Sequence, residues 1–237
     1  MKTIGMLGGM SWESTVTYYR TMNQEVNARL GGFHSAKALL YSVDFAELEG
    51  CLRAGDWDAV SRTLGDAAWR LEGAGADFLL ICTNTMHEVF DNVADAVSIP
   101  VVHIADATAD AIKARGLSRV GLLGTSFTME RTFFTDRLAR HGIDTIVPES
   151  GARSMVHTVI FDELCQGVFT DESRNRYLDV IGELRGRGAQ GIVLGCTEIG
   201  LLVRDRDTDL PLFDTAIIHA KMAVDMALEQ ESGRVTD

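Results

Sequence analysis

The chain has 237 residues, 46% of them hydrophobic and three of them proline, a length for one or two domains and a composition for well-packed cores rather than linkers. Its 34 acidic against 22 basic side chains give a net charge of −12, which argues against a nucleic-acid or anionic-membrane partner, because phosphate binding needs clustered Lys and Arg. The N-terminus lacks the apolar core of a signal peptide, no apolar run approaches the roughly 18 residues of a membrane span, and the four cysteines are too widely spaced for a disulfide framework, so we expect a cytoplasmic protein with free thiols.

In chain order, Lys2 to Leu7 reads as a strand entering the turn Gly8-Gly9-Met10-Ser11-Trp12-Glu13-Ser14. A helix follows from about Glu13 to Leu30, then a strand from Ala38 to Val43. Val60, Leu64, Ala67, Ala68 and Leu71 recur at helical spacing, which predicts an amphipathic helix over Asp56 to Glu72. Asp77 to Ile81 is a third strand, Thr85 to Ala96 a helix, Pro100 to His103 a short strand and Ala105 to Arg115 a helix. The pattern then restarts. Arg119 to Thr125 matches Thr3 to Gly9 at an offset of 116, followed by helix Met129 to Arg140 and strand Asp144 to Val147. Arg153 to Gln166 and Asp171 to Arg187 read as helices. Gly188 to Gly195 leads into Cys196 as the third strand leads into Cys82, an offset of 114, and Leu210 to Phe213 repeats Ile99 to Val102 at 111.

Three matched segments in one order imply an internal duplication, and the strand–helix alternation implies an α/β fold. We expect two pseudo-symmetric Rossmann-like lobes, each a mostly parallel sheet flanked by helices. The first comprises 1–98 plus 211–237 and carries Cys82; the second, 99–210, carries Cys196. The last helix, Asp214 to Glu229, packs back on the first half.

Ligands in such sheets bind beyond the carboxyl ends of the strands. Cys82 and Cys196 each follow an apolar strand, precede a threonine and occupy matched places in the duplication. A helix N-terminus lowers a thiol's pKa, so each is expected to be available as a thiolate near neutral pH. Two facing acid/base groups have a distinctive use: one removes a proton from carbon and the other returns a proton to the opposite face. Cys51 and Cys165 sit in helical contexts and read as small buried hydrophobes.

The blocks Ile4 to Thr15, Cys82-Thr83-Asn84-Thr85-Met86-His87 and Gly195-Cys196-Thr197-Glu198-Ile199, with Phe161 to Cys165 and Phe213-Asp214-Thr215, resemble the signatures of the aspartate/glutamate racemase family. The resemblance implies a two-base racemase that needs no cofactor, an active site between the lobes and a homodimer. It also implies that Met10, Ser11, Thr83, Asn84, Thr85, Thr125 and Thr197 line an amino-acid substrate. The Gly-Gly turn, threonine hydroxyls and N-terminal amides suit an α-carboxylate. Asn84 reads equally as a helix cap, and Glu198 either accepts from the substrate ammonium or sits in a first helical turn.

One departure bears on specificity. Family members that act on acidic amino acids have Gln after the cysteine at Cys51 and Lys six residues before Phe161; here those positions are Leu52 and Met155. A carboxylate buried against Leu and Met lacks a charge partner, which favours a neutral or broad side-chain pocket. Arg53 or His157 would be the basic group to reach that space for an acidic substrate. There is no Cys-x-x-Cys, His-Glu-x-x-His or Walker motif, and no lysine in a pyridoxal context, so neither metal nor cofactor is expected. A maleate isomerase or malonate decarboxylase on the same scaffold, and a two-lobed small-molecule sensor without chemistry, remain alternatives.

Overall fold

A computed structural model describes residues 1–229. Two four-stranded parallel sheets form the framework. The first has the order β2-β1-β3-β4, built from β1 (Ile4–Gly8), β2 (Ala38–Ser42), β3 (Phe78–Ile81) and β4 (Val101–Val102). The second repeats it as β6-β5-β7-β8, with β5 (Arg119–Gly124), β6 (Asp144–Ile146), β7 (Ile192–Gly195) and β8 (Leu212–Asp214). The central strands β1, β3 and β7 are buried on both faces, as their continuous apolar runs require. Each Leu or Ile so buried contributes about 1.5–3 kcal/mol of transfer free energy.

Eleven helices flank the sheets among the described residues. In the first half these are α1 (Trp12–Leu30), α2 (Phe45–Ala54), α3 (Trp57–Gly73), α4 (Phe90–Asp95) and α5 (Ile104–Ala114). In the second they are α6 (Ser126–Glu130), α7 (Thr132–Arg140), α8 (Ser150–Asp162), α9 (Asp171–Gly186), α10 (Ile199–Leu202) and α11 (Thr215–Leu228). The expected α3 stripe is buried as read: Val60, Leu64, Ala67, Ala68 and Leu71. Three other helices differ. The segment after Cys82 opens as a 3-10 turn over Thr85–Val89 before α4, and α8 ends before a 3-10 turn over Leu164–Gln166. The expected helix Met129 to Arg140 is two helices separated at Arg131, which is extended and donates across the lobes to Glu88 while its guanidinium lies 4.5 Å over the Trp57 ring.

The last helix of each half crosses to the other. Ile104, Ala105, Ala109 and Ile112 of α5 pack with Val120, Leu122 and Val193 of the second sheet. Ala216, Ala220, Ala223 and Ala227 of α11 pack with Ile4, Met6, Phe78 and Leu80 of the first. The alanine stripe lets α11 approach α1 closely, and the Lys2 N–H donates to the Ala227 carbonyl at 2.9 Å. The division at 98/99 and 210/211 is therefore corrected for the strands. β4 pairs with β3 in the first sheet and β8 with β7 in the second, so only the helices that follow them change lobes. Residues 230–237 of the expected first lobe lie outside the described residues.

The duplication is also one residue tighter at the cysteines than the sequence match suggests. Leu7 pairs with Ile81, whereas Leu123 pairs with Leu194, an offset of 113 between Ile81 and Leu194 rather than 114. Shifting a strand by one residue exchanges its faces. Cys82 accordingly packs with Ile4, Tyr18 and Val102 beneath α1 and α11, while Cys196 packs with Leu194 and Ile192 on the α8 and α9 side. In sheet register the partner of Cys196 is Thr83. The expectation that the two cysteines occupy equivalent places is corrected by that one residue.

Candidate active site

The loops leaving β1, β3, β5 and β7 converge on a cleft of about 440 Å³ between the lobes. Of the residues expected there, Met10, Leu52, Thr83, Asn84, Thr85, Thr125, Cys196, Thr197 and Glu198 line it. Ser11 reaches it through Glu198. Cys82, Met155 and His157 are not on its wall. Met155 packs against the α8–α9 core, and His157 accepts from the Ser126 N–H at 3.1 Å in an outer groove beyond Leu52 and Phe161.

Glu198 is the hub of the second-lobe wall. Its Oε2 accepts from the Cys196 thiol at 3.0 Å and from the Thr197 hydroxyl at 2.8 Å, and its Oε1 accepts from the Ser11 hydroxyl of the first lobe at 2.5 Å. Thr85 and Thr125 form another hydroxyl contact across the lobes at 3.2 Å. Asn84 makes no helix cap; its Nδ2 donates to Thr215 Oγ1 at 2.9 Å, and Thr215 donates to the Leu194 carbonyl. Because Thr215 has spent its proton, it must accept from Asn84, which fixes the amide orientation. Asn84, which lines the cleft, then leaves its Oδ1 a buried acceptor with no partner among the described residues.

Burial shifts both thiols away from the thiolate form, Cys196 on the cleft wall and Cys82 off it. Burial pushes Cys82, which is 0% exposed, well above the ordinary thiol range. Burial, then the Glu198 charge and the neighbouring Cys165, raises Cys196, which is 8% exposed. The expected lowering by helix N-termini is therefore corrected. The segment after Cys82 starts as a 3-10 turn, and α10 after Cys196 has four residues, so little dipole opposes desolvation.

The cleft also contains Phe45, Met86, Ile160, Phe161 and Cys165, which were not among the expected lining. For Cys165 a signal existed. Val156, Ile160 and Leu164 hold the core stripe of the α8 segment, so Phe161 and Cys165 fall on the adjoining stripe, free to face a ligand. Phe45, which begins α2, carried no comparable mark. Among the described residues no Lys, Arg or His lines the cleft, and Glu198 is the one ionisable carboxyl on it. Among the described residues no group of His, Cys, Asp and Glu is arranged to hold a metal ion, and no helix is long and apolar enough to cross a membrane.

A family model described as Asp/Glu/Hydantoin racemase matches residues 7–223. The chain belongs to this family. Among solved structures, this racemase-family chain is similar to one from Yersinia pestis proposed to be an Asp/Glu racemase, 50% identical over 97% of this chain and 100% of that one, with a TM-score of 0.90. It is similar to an aspartate racemase homologue from Pyrococcus horikoshii, 32% identical over 97% and 100% of the two chains, with a TM-score of 0.85. A broad-specificity amino-acid racemase of Bacillus subtilis is 23% identical over 75% of this chain and 76% of that protein. A racemase function and an amino-acid-sized substrate follow from the family.

Proposed function

We propose that this racemase interconverts the enantiomers of free amino acids with neutral side chains by proton transfer at Cα between Cys82 and Cys196, without an added cofactor. The observation that carries the reading is the thiol–carboxylate pair of Cys196 and Glu198, 3.0 Å apart on the wall of a cleft between duplicated lobes. Asn84 Oδ1 supplies a vacant acceptor for the substrate ammonium. Backbone N–H groups of the strand-end loops and the Thr85 and Thr125 hydroxyls suit its carboxylate.

In this reading the Cys196 proton passes to Glu198 when the ammonium arrives to balance the charge, leaving a thiolate. The thiolate takes the Cα proton and the Cys82 thiol returns one to the opposite face. The reverse enantiomer exchanges the roles. Because Cys82 is fully buried and off the cleft wall, substrate must part the lobes for both thiols to reach Cα, breaking the Ser11–Glu198 and Thr85–Thr125 contacts. A side-chain carboxylate would meet no cation on the lining, which costs several kcal/mol. Hence the preference for neutral side chains.

A second reading follows from the register. With Cys196 on the cleft wall and Cys82 off it, one thiol could protonate a carbanion from one face, as in a decarboxylation. One experiment separates the two. The purified protein is incubated with the common L-amino acids in deuterium oxide, and α-hydrogen exchange and chiral composition are followed. Two-base racemisation gives exchange with formation of the D-enantiomer, lost in both Cys82→Ala and Cys196→Ala. Full activity of Cys82→Ala refutes the two-base scheme. Exchange confined to aspartate and glutamate refutes the specificity.

A further inference from the structure

A second cleft, of about 470 Å³, lies apart from the reaction cleft, where α4 and the Thr85–Val89 turn of the first lobe face α7 of the second. The His103 ring forms part of its wall, with centroids 4.6 Å from both His87 and Phe90. His103 is 5% exposed. Its Nδ1 accepts from the Ala105 N–H at 3.1 Å, so the ring proton is on Nε2, and that N–H has no hydrogen-bond partner among the described residues. The Nε2–H is open to the cleft rather than sealed in the core, and a carboxylate oxygen there would accept from it.

The charges around it point to the rest of the ligand. Arg137 commits Nε and Nη2 to Asp106 at 2.8 and 2.7 Å, which leaves Nη1. Arg140 lines the cleft without an ion pair among the described residues, and so do Asp91 and Asp136. Phe90 and Phe133 supply apolar flanks. We propose that this cleft binds a free amino acid as an effector. Its carboxylate is held by His103 Nε2–H, Arg137 and Arg140, its ammonium by Asp91 and Asp136, and its side chain by Phe90 and Phe133.

The cleft connects to the reaction site through one residue. His87 lines the effector cleft, donates from Nδ1 to the Thr83 carbonyl at 2.8 Å, and accepts the Ile104 N–H at Nε2 at 3.1 Å. Thr83 lines the reaction cleft. An amino acid that draws α7 toward α4 therefore acts on both lobe closure and the loop that follows Cys82.

The test reads histidine side-chain NMR signals of the full chain labelled with nitrogen-15, with His103 assigned through His103→Gln. L-phenylalanine should shift the His103 signal saturably, in the native protein and in Cys196→Ala, so that the result does not depend on the racemase reading. N-acetyl-L-phenylalanine and L-phenylalaninamide, each lacking one charge, should bind about tenfold more weakly or worse, as should native ligand with Arg140→Ala. Arg140→Ala should keep its basal racemisation and lose modulation by L-phenylalanine. No saturable shift up to the solubility limit, equal binding by Arg140→Ala, or an equal response to inorganic phosphate would overturn the proposal.

Discussion

At the scale of the residue, the decisive contact is between the Cys196 thiol and Glu198. Glu198 raises the Cys196 thiol by its charge, after burial, yet it is also the acceptor placed to take the thiol proton. The two roles make opposite demands on Glu198→Gln. The free-enzyme thiol should alkylate with iodoacetamide at lower pH, because the neighbouring negative charge is gone. Turnover should fall by about 10²–10⁴, because the proton acceptor is gone. A variant that loses neither activity nor alkylation behaviour would remove Glu198 from the chemistry. Specificity is also a residue-scale matter. Leu52 lines the cleft and Met155 does not. Leu52→Lys should raise the aspartate-to-alanine ratio of kcat/KM by about tenfold or more, while Met155→Lys should leave that ratio unchanged and lower the Tm, since it puts a charge against a core.

At the scale of the element, the junction of α1, α11 and β4 is held by a buried chain of hydrogen bonds. His219 Nε2–H donates to the Val102 carbonyl at 3.1 Å, so its Nδ1 accepts from the Tyr18 hydroxyl at 2.9 Å. Both ring nitrogens are thus committed in the neutral form, and burial lowers the His219 pKa to about 3 and that of His87 to about 4. The unfolded chain takes up these protons near 6.5. Stability is therefore fully present above about pH 6.5 and falls as pH drops from there toward 4, by about 1.4 kcal/mol per pH unit for each histidine. Asp214 acts in the other direction. Burial raises its carboxyl to about 6, so folding favours its protonated form and it offsets part of the loss in acid. Denaturant titrations from pH 4 to 7 should show His219→Gln with a shallower slope, smaller by about one proton. An unchanged slope would show that His219 is not part of the acid response.

At the scale of the whole molecule, the exchanged helices make the lobes interdependent. The second sheet is covered by α5, which follows the first sheet in the chain, and the first sheet is covered by α11, which follows the second. Neither sheet can bury its apolar face from its own continuous segment. Urea unfolding should therefore be a single transition. All three tryptophans, Trp12, Trp57 and Trp69, lie in the first half, so their fluorescence reports that half while far-UV circular dichroism reports both. The midpoints should coincide, and a chain ending at residue 210 should fail to fold. Separated midpoints would mean the lobes fold independently despite the exchange.

The sequence by itself determined the repeating strand–helix order, the two sheets and the loops that bear the site, because buried strands write continuous apolar runs and the duplication writes them twice. It also marked Cys196, Thr83, Asn84 and Thr197, whose place at strand ends follows from chain order alone. Tertiary structure decided what chain order cannot encode. The one-residue register difference turned Cys82 and Cys196 to different faces, since sheet alignment depends on pairing partners far apart in the chain. Desolvation raises the pKa of both thiols where helix position alone predicted a lowering. The meeting of α2 with α8 brought Leu52, Phe161 and Cys165 to one cleft and left Met155 in a core, because a helical residue's destination depends on which stripe its neighbours have already filled.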